Sequence, residues 1–205
     1  MGFFSRRSFL KGLFSGAILP LLHPLHDIIS IPHGRLAFMR LRARDEKNIA
    51  SDFQGEELRY RISFLWFRRA AVGRILFEKG EGNHDYRATL KGKTSGVIGW
   101  LTRYRRDIYT SYMELIDGGK RLRSIRFEED VVIGRKVRKR IVLFDYRTGT
   151  LIKSRVNRKG IYKRSEENIP EGITYDDFLT AFYNFRWGVY GEIQRGKRYR
   201  IPTIP

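Results

Sequence analysis

From Glu57 the side chains alternate in character with a period of two, and this alternation limits the fold more than any other feature of the chain. Leu58, Tyr60, Ile62, Phe64 and Trp66 fall on one face of Glu57–Arg69, and Arg59, Arg61 and Ser63 on the other. Successive side chains of a strand point to opposite faces, so the pattern predicts a half-buried strand; Leu65 and Phe67 predict a far end covered on both sides. The rhythm returns in Val72–Lys79, Tyr86–Lys93, Asp107–Ile116, Arg121–Glu129, Val131–Gly134, Val137–Tyr146 and Thr150–Asn157. The Gly80–Asp85 cluster, Asp117-Gly118-Gly119 and Arg147-Thr148-Gly149 supply turn signals. Strands repeating about every ten residues with turns between them predict an antiparallel meander, rolled or barrel-like. Gly96–Arg105 reads equally as a short helix or a loop.

One segment breaks the rhythm. After Pro170-Glu171-Gly172, the stretch Thr174–Arg186 spaces Phe178, Leu179, Phe182 and Phe185 as a helix does. Thr174 or Asp176 is expected to cap it, with Asp176 and Asp177 suiting the positive end of the dipole, and Gly188 or Gly191 to end it. The prediction is therefore a mainly β (α+β) fold, a curved antiparallel sheet or half-barrel wrapped around one helix in the C-terminal half. A chain of 205 residues, 41% hydrophobic, suffices for one domain with a real core. That domain is expected over 55–205, after a basic linker at 32–54 in which Leu36, Met39 and Ala43 have helical spacing.

Residues 1–31 read as a targeting segment rather than as part of the fold. Ser5, Arg6, Arg7, Phe9, Leu10 and Lys11 match the favoured positions of a twin-arginine signal, and the weak apolar run Phe9–Leu22 follows. The expected partner is the twin-arginine export machinery, and the expected location is the periplasm. No clear Ala-x-Ala lies in residues 17–35, so a soluble form after atypical cleavage and a form anchored to the inner membrane by an uncleaved signal helix both stay open.

Charge and chemistry narrow the function classes. There are 41 Lys and Arg against 22 Asp and Glu, a net charge of +19, which implies attraction to anions. Export argues against nucleic acid as that anion. The densest run, Arg135, Lys136, Arg138, Lys139 and Arg140, forms a charged ladder in a strand, suited to a solvated face or to an anionic lipid or polysaccharide surface. With no cysteine, disulfides and thiolate metal sites are excluded. Beyond Gly34 the only histidine is His84, and no nucleophile elbow or phosphate-binding loop accompanies it. No catalytic residues, cofactor or metal site is predicted.

Several phrases, in order, resemble one family of exported bacterial proteins, the domain-of-unknown-function family 3108. They are Gly55-Glu56-Glu57-Leu58-Arg59-Tyr60-Arg61-Ile62, then Lys93-Thr94-Ser95-Gly96, Phe144-Asp145-Tyr146, and Tyr175-Asp176-Asp177-Phe178-Leu179-Thr180-Ala181-Phe182-Tyr183-Asn184-Phe185-Arg186. The resemblance covers about 55–205. It implies a curved sheet around the helix, akin to periplasmic lipoprotein carriers whose concave aromatic face holds acyl chains. Relatives usually continue past the helix with further strands, whereas this chain stops at Pro205. On this footing the concave face, with Tyr60, Phe64, Trp66, Phe178, Phe182 and Phe185, is the expected seat of an apolar or amphipathic ligand. A membrane-surface domain using its basic faces is the alternative, and a hydrolase a distant third.

Overall fold

The computed structural model describes residues 48–64, 67–80, 85–157 and 160–204. The twin-arginine motif Ser5–Lys11 and the rest of the expected signal helix lie outside the described residues, as do Trp66 and His84.

Eight strands form a single antiparallel sheet in which every strand pairs with its neighbour in sequence: β1 (Glu57–Phe64), β2 (Phe67–Lys79), β3 (Asp85–Thr94), β4 (Arg106–Ile116), β5 (Arg121–Ile133), β6 (Lys136–Asp145), β7 (Thr150–Asn157) and β8 (Gly160–Asn168). The sheet is curved and does not close. Among the described residues three short helices accompany it: α1 (Ile49–Phe53), α2 (Gly96–Leu101) between β3 and β4, and α3 (Phe178–Trp187). The predicted meander is therefore present, as an open sheet, with the predicted C-terminal-half helix packed on it.

Alternation decides which face is buried. Register aligns Leu58, Ile75, Leu90 and Tyr109 in one rung and Phe77, Ala88, Ser111, Phe127 and Val142 in the next. All but the partly buried Leu58 are buried, and α3 lies across them. Tyr183 of α3 stands between Phe77 (centroids 4.6 Å apart) and Phe53 of α1 (5.1 Å). Each large aromatic side chain buried this way contributes roughly 2–3 kcal/mol of transfer free energy. Ile49, Ala50 and Phe53 join this core although they precede the alternation that starts near Gly55. The turn Asp117–Gly119 packs on Asn48, the N-cap of α1; a Cβ on Gly119 would sit 2.6 Å from Asn48 Cβ, and its φ of +84° also favours glycine.

Three expectations need correction, and one strand lacks a sequence signal. Glu57–Arg69 is not one strand: Phe64 pairs with Phe67, so the chain reverses between them. The apolar run there carries no Gly, Pro or Asn to announce a turn. Arg121–Ile133 is continuous, whereas Val131–Gly134 reads in sequence as a separate strand. An extra residue at Ile125, opposite the Tyr112/Met113 step, shifts the alternation and disguises that continuity. β8 gives no sequence signal because all but one of its side chains are exposed. The cap of α3 is Asp177, not Thr174 or Asp176; Gly188 does end it, in the left-handed conformation.

Candidate functional site

The inner face comes first, because the aromatic ligand candidates lie on it. Asp177 is wholly buried and caps α3, its Oδ1 accepting from the backbone N–H of Leu179 (2.8 Å) and Thr180 (3.1 Å). Its Oδ2 accepts from three hydroxyls: Ser111 on β4 (2.5 Å), Ser124 on β5 (2.8 Å) and Thr180 (2.9 Å). One carboxylate thus fastens the helix start to two strands. Asp176, also buried, accepts from Asn184 Nδ2 (3.0 Å) and the Tyr190 hydroxyl, with Arg121 at 3.5 Å. Asn184 continues the network to the sheet. β6 pairs with β5 only as far as Arg126, so Leu122 lacks a strand partner there. Asn184 substitutes for one, accepting from Leu122 N–H (2.9 Å) and donating to its carbonyl (2.8 Å). Burial pushes the Asp176 carboxyl up to about 6 and raises Asp177 as well. Serine, threonine and aspartate together suggest chemistry, but here each hydroxyl is buried and committed to holding the helix.

The aromatic candidates are largely engaged by the protein itself. Phe178 packs edge-on against Tyr109 (5.1 Å) and Phe127 (5.5 Å). Phe182 packs against Tyr183 beneath the Arg186 guanidinium, and Phe185 against Tyr199. Tyr60 is 39% exposed at the β1 edge. Phe64 ends β1, and nothing is described of its side chain. The helix thus occupies the concavity in which a ligand was expected.

The outer face is built differently. Register sets Arg59, Arg74, Lys91, Ile108 and Asp130 side by side across β1–β5, and Arg61, Val72, Lys93, Arg106 and Val132 in the next outward rung. The twist of the sheet hollows these rungs into a trough of about 790 Å³, floored by Val72, Ile108 and Val132 and rimmed by cations. Glu57 pairs with Arg59 and Arg74, and Asp130 with Lys139 (3.2 Å). Arg61, Lys91, Lys93 and Arg106 have no acidic partner among the described residues. A second hollow, lined by Lys93, Arg103, Tyr104, Arg106, Val132 and Gly134, continues it toward α2.

The predicted basic run belongs to the same end of the sheet. Arg135, Lys136, Arg138 and Lys139 are exposed and Arg140 is partly covered. Lys139 faces outward beside Asp130, while Arg138 and Arg140 fall on the helix side, opposite Val131 and Glu129. The cations of the trough went unrecognised as a group in the sequence: they come from four strands, and only the register assembles them. Among the described residues no three His, Asp or Glu side chains converge as metal ligands, and no helix is long and apolar enough to cross a membrane.

The arrangement from Arg59 to the C-terminal segment is what a family model also matches. Residues 59–204 fit the model described as protein of unknown function DUF3108. The chain belongs to the DUF3108 family. No curated protein and no solved structure matches it. Within the DUF3108 frame, the family-like helix phrase Asp177-Phe178-Leu179-Thr180 is the segment whose cap and hydroxyl bind β4 and β5.

Proposed function

We propose that this DUF3108 protein is an exported, non-catalytic binding protein that holds an anionic amphipathic molecule, lipid-like in character, along the outer face of β1–β5. The observation that carries this is the trough itself: apolar side chains among four cations that form no ion pair with the described residues, the lining carboxylate Asp130 being paired with Lys139. Acyl carbons suit Val72, Ile108 and Val132, and a phosphate or carboxylate suits Lys91, Lys93, Arg61 and Arg106, where attraction is strongest at low salt. Export is supported by the Ser5–Lys11 pattern, and the absence of a catalytic set in the sequence supports binding rather than turnover. The proposal keeps the lipid-like ligand expected from sequence and moves it to the opposite face, since α3 fills the first.

Titration of a fluorescent fatty acid, with and without 0.5 M salt, tests it (the concentration chosen to shorten the Debye length to roughly 4 Å). Saturable binding is expected, weakened at high salt and at least about tenfold in Lys91→Glu/Arg106→Glu. Absence of saturable binding, or equal binding by that variant, would overturn the proposal.

A further inference from the structure

Helix α2 wears its apolar side outward. Val97, Trp100 and Leu101, at the i, i+3, i+4 spacing of one helical stripe, are 53%, 69% and 60% exposed, and Tyr104 in the turn that follows is 61% exposed. An amphipathic helix ordinarily turns such a stripe to the core, so this display runs against the hydrophobic effect unless something covers it.

The display is held firmly. Thr102 Oγ1 donates to the Ile98 carbonyl (2.7 Å) and meets Thr94 Oγ1 (2.7 Å), and Ser95 Oγ donates to the Arg69 carbonyl (2.6 Å). Two successive non-glycine residues, Arg103 (φ +54°) and Tyr104 (φ +50°), adopt the left-handed conformation that closes the turn. The Tyr104 ring lies over Gly99, where a Cβ would come within 3.0 Å of it. Such a conformation persists only where the surrounding contacts hold it.

Charge identifies the occupant. Arg103 accepts a backbone hydrogen bond from Gly134 (3.1 Å), which brings the β5–β6 turn and its exposed Arg135 and Lys136 beside the tip. Exposed Arg69, Lys93 and Arg106 complete the ring. Two carboxylates of β4 and β5 pair with other cations, Asp107 with Arg105 (2.8 Å) and Asp130, through Oδ2, with Lys139 (3.2 Å). The tip projects from one end of the sheet as four apolar side chains, against the roughly 20–30 residues a side of a stable protein interface. A Trp and a Tyr with aliphatic neighbours inside a ring of Arg and Lys is the composition that settles at the boundary of an anionic bilayer, the rings at headgroup depth and the cations on phosphate.

We infer that α2 and the following turn form a membrane-contacting tip that inserts Trp100, Leu101 and Tyr104 into the interface of an anionic phospholipid bilayer. Trp100 and Leu101 line neither hollow, whereas Tyr104 lines the second and Lys93 and Arg106 line both, so the test is placed on Trp100 and Leu101.

The test is vesicle co-sedimentation of the full chain and of Trp100→Ser/Leu101→Ser, using phosphatidylglycerol–phosphatidylcholine (1:3) and pure phosphatidylcholine vesicles. Both proteins carry the same N-terminal segment, so its contribution cancels in the comparison. The parent chain is expected to bind the anionic vesicles, with a blue-shifted tryptophan emission that Trp100→Phe diminishes. The double variant is expected to bind at least about tenfold more weakly. Its thermal unfolding should be unchanged, because both side chains are exposed. Equal binding by parent and double variant would overturn the inference in favour of adsorption by charge alone. So would no binding of the parent chain to anionic vesicles, or a monomer–dimer shift in the double variant with vesicle binding intact, which would make the tip a protein contact. Fatty-acid titration of the same double variant separates this outcome from failure of the trough proposal.

Discussion

The two faces of the sheet put their polar side chains to opposite ends. On the inner face at α3, polar side chains come in closed sets: Asp177 with Ser111, Ser124 and Thr180, and Asp176 with Asn184 and Tyr190. On the outer face, Arg61, Lys91, Lys93 and Arg106 stand together with no acid to answer them among the described residues. Buried polar groups are nearly always satisfied inside the fold, because each one left unpaired costs stability. Exposed charges are satisfied by water and are free to be satisfied by something else. The difference locates stability on one side and, on the proposed function, binding on the other.

Removing the centre of the inner set should break that side outright. Asp177→Ala strips two backbone donors of their cap and leaves three buried hydroxyls without their acceptor, so a loss of about 3 kcal/mol or more is expected in chemical denaturation. Asp177→Asn, which keeps the cap, should lose less. Asn184→Leu should cost about 2 kcal/mol, because Leu122 then has an unpaired N–H and C=O. A third probe is pH. Burial raises Asp176 to about 6 and raises Asp177 too, so the folded state binds protons more readily than the unfolded chain. Stability should then fall as pH rises from the ordinary carboxylate range, near 4, through about 6, by on the order of 2 kcal/mol. Asp176→Asn should flatten this slope, measured as unfolding free energy at pH 5 and pH 7. Tyr183→Phe sharpens the contrast from the other direction. Its hydroxyl is buried without a hydrogen-bond partner among the described residues, so the variant should match or exceed the parent by up to about 1 kcal/mol. The smallest effect belongs to the outer face: Lys91→Ala/Arg106→Ala should stay within about 0.5 kcal/mol of the parent, or gain through relieved repulsion, while ligand binding drops.

Much of the fold was legible because strand alternation and the helical spacing of Phe178, Leu179, Phe182 and Phe185 are local signals. What escaped was set by contacts distant in sequence. Asp177 takes the cap from Asp176 because Ser111 and Ser124, more than fifty residues earlier, place their hydroxyls at its carboxylate. β8 forms along β7 although its own side chains are almost all solvated. The helix aromatics were recognised as a stripe, but their partners Tyr109, Phe127 and Tyr199 could not be assigned from spacing alone. The trough was hidden for the same reason: its cations are ordinary outward residues of four strands until register aligns them. Trp100 and Leu101 carry no sequence signal of their exposure, since nothing local distinguishes an apolar stripe that faces solvent from one that faces a core.

The order of elements has a temporal consequence. Each strand pairs with the one made just before it, so the sheet can zip progressively as the chain emerges, through hairpins whose closure takes microseconds. Its inner lid arrives late, because α3 starts at Phe178 and its cap network ties back to Ser111, Ser124 and Leu122. During synthesis at about 5–20 residues per second, the growing sheet therefore presents Phe77, Tyr109 and Phe127 uncovered for seconds before the helix docks. That interval is when the molecule is most open to aggregation or to capture by a chaperone, and truncation before Phe178 would make it permanent.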